Sequence, residues 1–464
     1  MDDMLENYSS AKHHEETALL YVSEHAPIST RVDESSTGCL STSLFVLVIS
    51  FISGLYDISN LGLLMYQKRT LLLSTSTIQL LSGVIDVPWA IKPVFGYAFD
   101  SMLKKIKRVK YIVYATSVVR LLVYLLLAYC DMRASWFIIL LMLNQISAVF
   151  ENIIAEYCLV LDTQEKNRQT GSAANNELPI YFGARSLGQL IGTFLGGRII
   201  EAYTNQTVFA VCIAFPLIAL VAALSYKESR VCDRKPGRSV LAELRELSGI
   251  FKRDRVLLMV VFVCLMNTTP SFSTLNTFYL TDYLMFSTTT LANFNTFSVV
   301  SFLVGLLAYY FYFVKISPRP FYVLTSALLW VVEASFLLVV LEVIQGWGMS
   351  PKPFCFLNEG MNSLLTELQF MPVITIWIGL IPKNLEATAI TFITGLTNLS
   401  KGLSDYSGAF VMWLMNVGEH NYNALWQLIL VKLLYMLFIL VGLLFIKFPK
   451  PQVDSAATDQ NIKE

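Results

Sequence analysis

The sequence predicts an all-α membrane protein with twelve transmembrane helices in two six-helix halves. Three observations carry this. Of 464 residues, 55% are hydrophobic and only 15% charged, against about 25% charged in a typical soluble domain. Apolar stretches of span length, roughly 20 residues, recur along almost the whole chain. A polar, basic stretch at 227–255 divides them six and six. Net charge is zero, so composition offers no electrostatic case for nucleic acid.

The elements follow in order. Residues 1–41 are polar, with acids, Ser, Thr and His13, His14 and His25. They read as a disordered cytosolic tail without a cleavable signal or transit peptide. Spans are predicted at 42–66, 73–99, 109–130, 136–161, 178–203 and 206–226, which form the half 42–226. The second half, 256–447, holds spans at 256–280, 288–314, 320–344, 357–381, 386–412 and 422–447. Residues 448–464 form a second cytosolic tail. In the 227–255 linker, Leu241, Leu244, Leu247 and Phe251 recur at helical spacing, the pattern of a short amphipathic helix on the membrane surface or of a simple tether.

Basic residues in short loops set orientation. One side collects nineteen, five of them in "KKIKRVK" at 104–110; the other holds Lys68, Arg69, Arg133 and Lys352. Both termini are thus expected in the cytosol, in the plasma membrane by default. Trp136, Trp347, Trp413 and Trp426 then mark the outer interface. The seven cysteines form no CxxC and no short-loop framework, so neither zinc nor a disulfide scaffold is indicated. Cys130 and Cys355 can both face outward, where this topology leaves a pairing open.

The halves repeat. "MYQKRTLLLSTSTIQL" at 65–80 aligns without gaps to "FYLTDYLMFSTTTLAN" at 278–293, and "SLGQLIGTFLGG" at 186–197 aligns more loosely to "NLSKGLSDYSGA" at 398–409. Related halves pack around a central binding cavity. The repeat places Asp282 opposite Arg69, at the membrane edge.

Ionisable residues inside a membrane cost at least a few kcal/mol each and are functional candidates. Those near the midplane are Asp57, Asp86, Lys92, Arg120, Glu151, Glu156, Arg185, Glu367, Lys401, Asp405 and Lys432. Each suits a structural ion pair as well as a ligand role; the set suits a polar cavity. No histidine lies within a span, so proton coupling falls to carboxylates, which hold protons to higher pH in a low dielectric. Asp57, Asp86 and Glu151 are the candidates.

"DVPWAIKPVFGYAFD" at 86–100 is the most unusual stretch. Pro88 and Pro93 each remove a helical hydrogen bond and free the carbonyls of Val84 and Trp89. Ideal spacing puts Trp89, Lys92 and Gly96 on one face: an aromatic plane, a cation and a gap along a cavity wall. The plainer reading is a packing kink with Lys92 in a salt bridge. Asp100 can meet the partial positive charge of the span 11 N-terminus near Asn384 and latch the halves. Gly188, Gly192 and Gly196 give span 5 a face for close helix contact, with Arg185 one turn away. There is no GxxxxGK[ST], HExxH or GxSxG, so neither ATP-driven pumping nor hydrolysis is indicated; no cofactor is expected.

These residues resemble the folate-biopterin transporter family of the major facilitator superfamily. The resemblance rests on "DVPWAIKPVFGYAFD", on "CLMNTTPSFSTLNTFYLTDYLMFS" at 264–287, on "LEATAITFITGLTNLSKGLSDYSGA" at 385–409 and on "GSAANNELPIYFGARSLGQLIG" entering span 5. It implies alternating access and folate or pterin uptake, often with protons; a monomer in the bilayer is expected. The family pattern maps onto Pro88, Trp89, Lys92, Pro93, Gly96, Asp100, Arg185, Glu386 and Asn398. "IPKNLEAT" departs from it in lacking a glycine before Glu386. For a folate-like ligand, with flat rings and an anionic tail, Trp89 suits stacking on a ring, Lys92, Arg185 or Lys401 suits the carboxylates, and Glu151 or Glu156 suits accepting from the pterin amino edge. The alternatives are a carrier of another metabolite such as S-adenosylmethionine, and a non-transporting receptor.

Overall fold

The computed structural model describes residues 41–170, 177–226, 249, 254–313, 316–380, 386–418 and 421–445. The two tails, the amphipathic stretch of the linker and Asn384 lie outside the described residues. Within them all regular structure is helical. Helices occupy all twelve predicted positions. Among the described residues, eight segments are long and apolar enough to cross a membrane: Thr42–Arg69, Thr75–Leu103, Val109–Tyr129, Ala134–Leu159, Asn205–Ser225, Thr288–Phe313, Arg319–Val340 and Tyr422–Leu444. The remaining four positions, spans 5, 7, 10 and 11, are Glu177–Ala202, Asp254–Asn267 continued by Ser273–Tyr283, Pro351–Leu380 and Glu386–Leu414. These carry more polar residues, and all four join the polar interior described below.

Several spans are interrupted, each for a local reason. Span 1 breaks between Thr42–Leu55 and Ile58–Arg69; the N–H groups of Asp57, Ser59 and Asn60 donate three residues back, not four. Span 2 is three pieces, Thr75–Ile85, Val87–Ala90 and Lys92–Ile106, cut by the two prolines. Asp86 N–H donates to Ser82 O and Ile91 N–H to Val87 O, both at 3.1 Å, while the N–H groups of Trp89 and Val94 donate only three residues back, to Asp86 O and Ile91 O. Ideal helical spacing therefore does not carry through 86–96. Span 7 unwinds at 268–272, where Pro270 has no N–H to offer; Ser271 N–H donates to Ser404 O on span 11 at 3.1 Å. Irregular backbone at membrane depth survives where protein satisfies it.

The repeat is written in the backbone. Leu72 and Met285, 213 residues apart like the aligned segments, both adopt a left-handed φ, 52° and 55°. Ser74 and Ser287 both cap the next helix, accepting from the N–H of Thr77 and Thr290. The looser repeat holds too. A Cβ on Gly192 would lie 2.8 Å from Leu55 O, and those on Gly188 and Gly196 would press on Phe51 O and Ile58 O. In the other half, Gly408 has no room for a Cβ against Ser271 O, and Ser404 Oγ donates to Thr269 O. Spans 5 and 11 thus use equivalent small residues to pack on the breaks of spans 1 and 7.

The halves meet along two seams, span 2 on span 11 and span 5 on span 8. Gly83 faces the Tyr406 ring, Gly395 faces Pro93, and Gly197 faces Ala292. Trp136, Trp347 and Trp413 are exposed near helix ends and Trp426 borderline so, as an interface belt requires. Cys130 and Cys355 are both free, so the pairing left open by topology is not made; Cys355 is buried away from the exposed Cys130.

Gly188→Leu must force the backbones of spans 1 and 5 apart. Overpacking of this kind costs about 1–3 kcal/mol, so the detergent-solubilised variant should melt below wild type. Gly183→Leu, at a position with open space around it, should melt as wild type does. Equal melting of both variants would refute the close-contact reading.

Candidate functional site

The predicted charges sort into pairs and open clusters. Arg120 on span 3 and Glu151 on span 4, 3% and 4% exposed, form an ion pair. Arg120 Nε donates to Asn144 Oδ1 at 3.1 Å, and its guanidinium carbon lies 3.3 Å from the centre of the Tyr56 ring, which stacks on Tyr124. The second oxygen of Glu151 is buried without a partner. Lys92, 1% exposed, donates to both oxygens of Glu156 at 2.7 and 2.9 Å. Two residues expected to take ligand groups separately, Lys92 and Glu156, are thus brought to each other.

An open cluster forms where span 2 meets spans 4, 7 and 11. Gln145 of span 4 donates to Asp86 Oδ1 at 2.9 Å and lies 3.5 Å from Trp89 Nε1. Gln79 donates to Asp405 and accepts from the N–H of Thr274 at 3.0 Å, tying spans 2, 11 and 7. Lys401 lies in the field of Asp86, Asp405 and Glu367, three acids on one lysine. Among the described residues no ion pair involves Lys401 or Arg185. Pro88 is buried and Gly96 half-buried. The side chains of Asp100 and Glu386 lie outside the described set, so the latch expected at Asp100 has no described geometry; Asn398 is half-buried.

Asp57 sits elsewhere. The span 1 break turns it into a cavity of about 230 Å³ between spans 1, 5 and 8. Its carboxylate meets the side chains of Asn60 and Gln189 and feels Arg185. Asn60, Gln189, Thr193, Asn295 and Ser298 complete the polar lining.

Residues missed in the sequence complete a further network in the second half. Lys432 pairs with Glu333 at 2.6 Å, Asn362 donates to the same carboxylate oxygen at 2.8 Å, and Ser298 donates to Glu359 at 3.1 Å. The amides Gln79, Gln145 and Gln189 were missed because only charges were counted. The spacing Arg185, Gln189, Thr193, one residue per turn on one face, was the signal that would have found the last.

At the end of the bundle that carries Leu72 and Met285, Lys68 of span 1 pairs with Asp282 of span 7. Lys68 Nζ also lies 3.7 Å from the centre of the Phe278 ring, and Tyr422 donates to Asp282 at 3.2 Å. Glu201 of span 5 accepts from the N–H of Thr289 on span 8 at 2.7 Å. These ties join the halves at that end.

Removing one partner of a buried ion pair costs about 3–5 kcal/mol, because the other charge is left uncompensated. Arg120→Met should therefore lower the melting temperature strongly, and Arg120→Met with Glu151→Met should recover most of the loss. A double variant no more stable than the single one would show that the pair is not what matters.

Known proteins were compared with this chain. The described fold is similar to the nucleoside transporter NupG, with a TM-score of 0.66 at 12% identity over 88% of this chain and all of that one. It is also similar to a D-xylose–proton symporter, with a TM-score of 0.63 at 13% identity over 88% and 98% of the two chains. The architecture is of the major facilitator type. In sequence, the chain is 23% identical to the folate-biopterin transporter of Synechocystis sp. PCC 6803 over 412 residues, 88% of this chain and 82% of that protein. It is 22% identical to folate transporter 1 of Plasmodium falciparum over 386 residues, 83% and 75% of the two. The BT1 family profile matches residues 53–464. The chain is a multi-pass membrane transporter rather than an enzyme, and it belongs to the BT1 family.

Proposed function

We propose that this transporter carries folate or pterin compounds by alternating access of its two halves, with proton symport. The observation that carries the substrate class is the family match over residues 53–464, with relatives named as folate and folate-biopterin transporters. The membrane in this proposal is the plasma membrane, with both termini in the cytosol and the chain acting as a monomer. For the Leu72–Met285 end to open, Lys68 must leave Asp282 and Glu201 must leave span 8. Arg185 and Lys401, free of close ion pairs among the described residues, take the carboxylates of the ligand. Arg185 does so in bidentate fashion. Trp89 offers a stacking face. Lys92, Glu156 and Glu151, each tied in an ion pair, hold spans 2, 3 and 4 in place. Three acids around Lys401 leave uncompensated negative charge, so a proton entering at Asp86 or its neighbours eases the arrival of an anion. Asp57 is the other carboxylate that faces open space.

The test is uptake of radiolabelled folic acid into proteoliposomes with and without an inward proton gradient. Accumulation that rises with the gradient is expected. Uptake indifferent to it would remove the proton, and no uptake by monodisperse protein would overturn the substrate. In the same assay Arg185→Ala should lower transport efficiency roughly 10- to 100-fold, the worth of a charged hydrogen bond, with surface expression unchanged. Normal uptake by this variant would sink the anion role.

A further inference from the structure

We propose that the cavity between spans 1, 5 and 8 seats the 2-amino-4-oxopyrimidine edge of a fused heterocycle, with Asp57 accepting from its two adjacent N–H donors. The assignment rests on the folate or pterin reading for the ligand and goes beyond it in naming the seat of the head group.

The lining decides the chemistry. It holds one carboxylate, three carboxamides and two hydroxyls, and neither lysine nor arginine. A site whose single formal charge is negative does not take a carboxylate tail. An ionised carboxylate only accepts, whereas each carboxamide both donates and accepts. A 2-amino-4-oxopyrimidine presents a ring N–H beside an exocyclic amine, matched by the two oxygens of Asp57. Its carbonyl and ring nitrogen then need donors. Asn295 supplies them, with the second amide N–H of Asn60 and of Gln189, whose amides also meet Asp57. Ile58, Leu61 and Val299 also line the cavity and give apolar surface for the ring faces.

Size agrees. Pockets that enclose a drug-sized ligand measure roughly 300–1,000 Å³. At about 230 Å³ this cavity fits a two-ring head and excludes a head, linker and glutamate together. The tail has a direction to leave by. Arg185 is one helical turn before Gln189 on the same face of span 5 and outside the cavity lining. A ligand with its head at Asp57 therefore directs an anionic tail along span 5 toward the guanidinium. Asp57, Asn60 and Gln189 belong to one half and Asn295 and Ser298 to the other, so a seated head group bridges the two bodies that must move.

The local structure is built for this. The glycine face of span 5 lies against the span 1 break, which turns Asp57 into the seam. Gly197 meets Ala292 and Thr288 O of span 8 with no room for a Cβ, pinning spans 5 and 8 together beside the cavity.

The same edge occurs in guanine, so the test separates the sources. Equilibrium binding to the detergent-purified full chain would be measured for folic acid, 6-hydroxymethylpterin, its analogue lacking the 2-amino group, and guanosine. The analogue should bind wild type at least about tenfold more weakly than the pterin, because it leaves a buried acceptor unpaired. Asp57→Asn should shrink that ratio to about threefold or less. Thr193→Leu, which changes no charge and fills the cavity, should weaken pterin binding about tenfold and serves where the aspartate variant does not fold. Folate binding in which both variants keep the wild-type ratio and affinity would overturn the seat and leave the folate reading intact. Guanosine binding that depends on Asp57, without pterin binding, would keep the seat and overturn the folate reading. No binding of any of the four would overturn both.

Discussion

Backbone-to-backbone contact between the small-residue faces of spans 5 and 11 and the interrupted spans 1 and 7 is the constraint on which the rest depends. In lipid each backbone polar group must be satisfied within the protein. Spans 1 and 7 both interrupt their regular helical bonding, span 1 at Tyr56–Asp57 and span 7 at Thr268–Phe272. Only a neighbour without bulky side chains comes close enough to cover such breaks. Gly188, Gly192 and Gly196 do so in one half; Ser404 and Gly408 do so in the other, with Ser404 O accepting directly from Ser271 N–H. The breaks in turn set where polar side chains go. Asp57 turns into the cavity beside span 8. Span 7 restarts at Ser273, where Thr274 N–H meets Gln79 and so joins the cluster that holds Asp405.

Much of the fold was legible because the bilayer writes it in composition. Span positions and the six-and-six division follow from transfer costs summed over some 20 residues, which no tertiary detail overrides. The repeat was legible to the residue: Ser74 and Ser287 align, and both cap helices. Span ends were less so. Span 4 stays helical to Thr170, because a helix continues past the hydrocarbon wherever its own hydrogen bonds suffice.

The site was legible only in part, for two physical reasons. Charges stand out in an apolar run, while amides cost less to bury and pass unnoticed; Asn60, Gln79, Gln145, Gln189 and Asn295 are all of this kind. Spacing also names a face and not the partner across it. An ideal helix placed Lys92 on a cavity wall, with a salt bridge as the plainer reading; the chain restarts at Lys92 after the break, and its ammonium meets Glu156, as the plainer reading had it. Arg120 and Glu151 were each found as intramembrane charges, but nothing in their spacing of 31 residues says that one neutralises the other.

Once those pairs are removed, the interior shows what remains uncompensated. Arg120 cancels Glu151 and Lys92 cancels Glu156, while Asp57 lies in the field of Arg185 without an ion pair. Asp86, Asp405 and Glu367 share Lys401, and Glu333 and Glu359 share Lys432. Both remaining clusters carry more acids than bases. Two like charges about 6 Å apart repel by about 3 kcal/mol at an effective dielectric of 20, a hundredfold in an equilibrium constant. An anionic ligand entering such an interior meets that repulsion from any carboxylate still ionised. In the proposed symport, protonating a carboxylate near Lys401 would remove the repulsion and leave the lysine free to attract the ligand, so each occupant would favour the other. Such coupling would need no dedicated relay and no histidine, only an excess of acids along the path proposed for the anion.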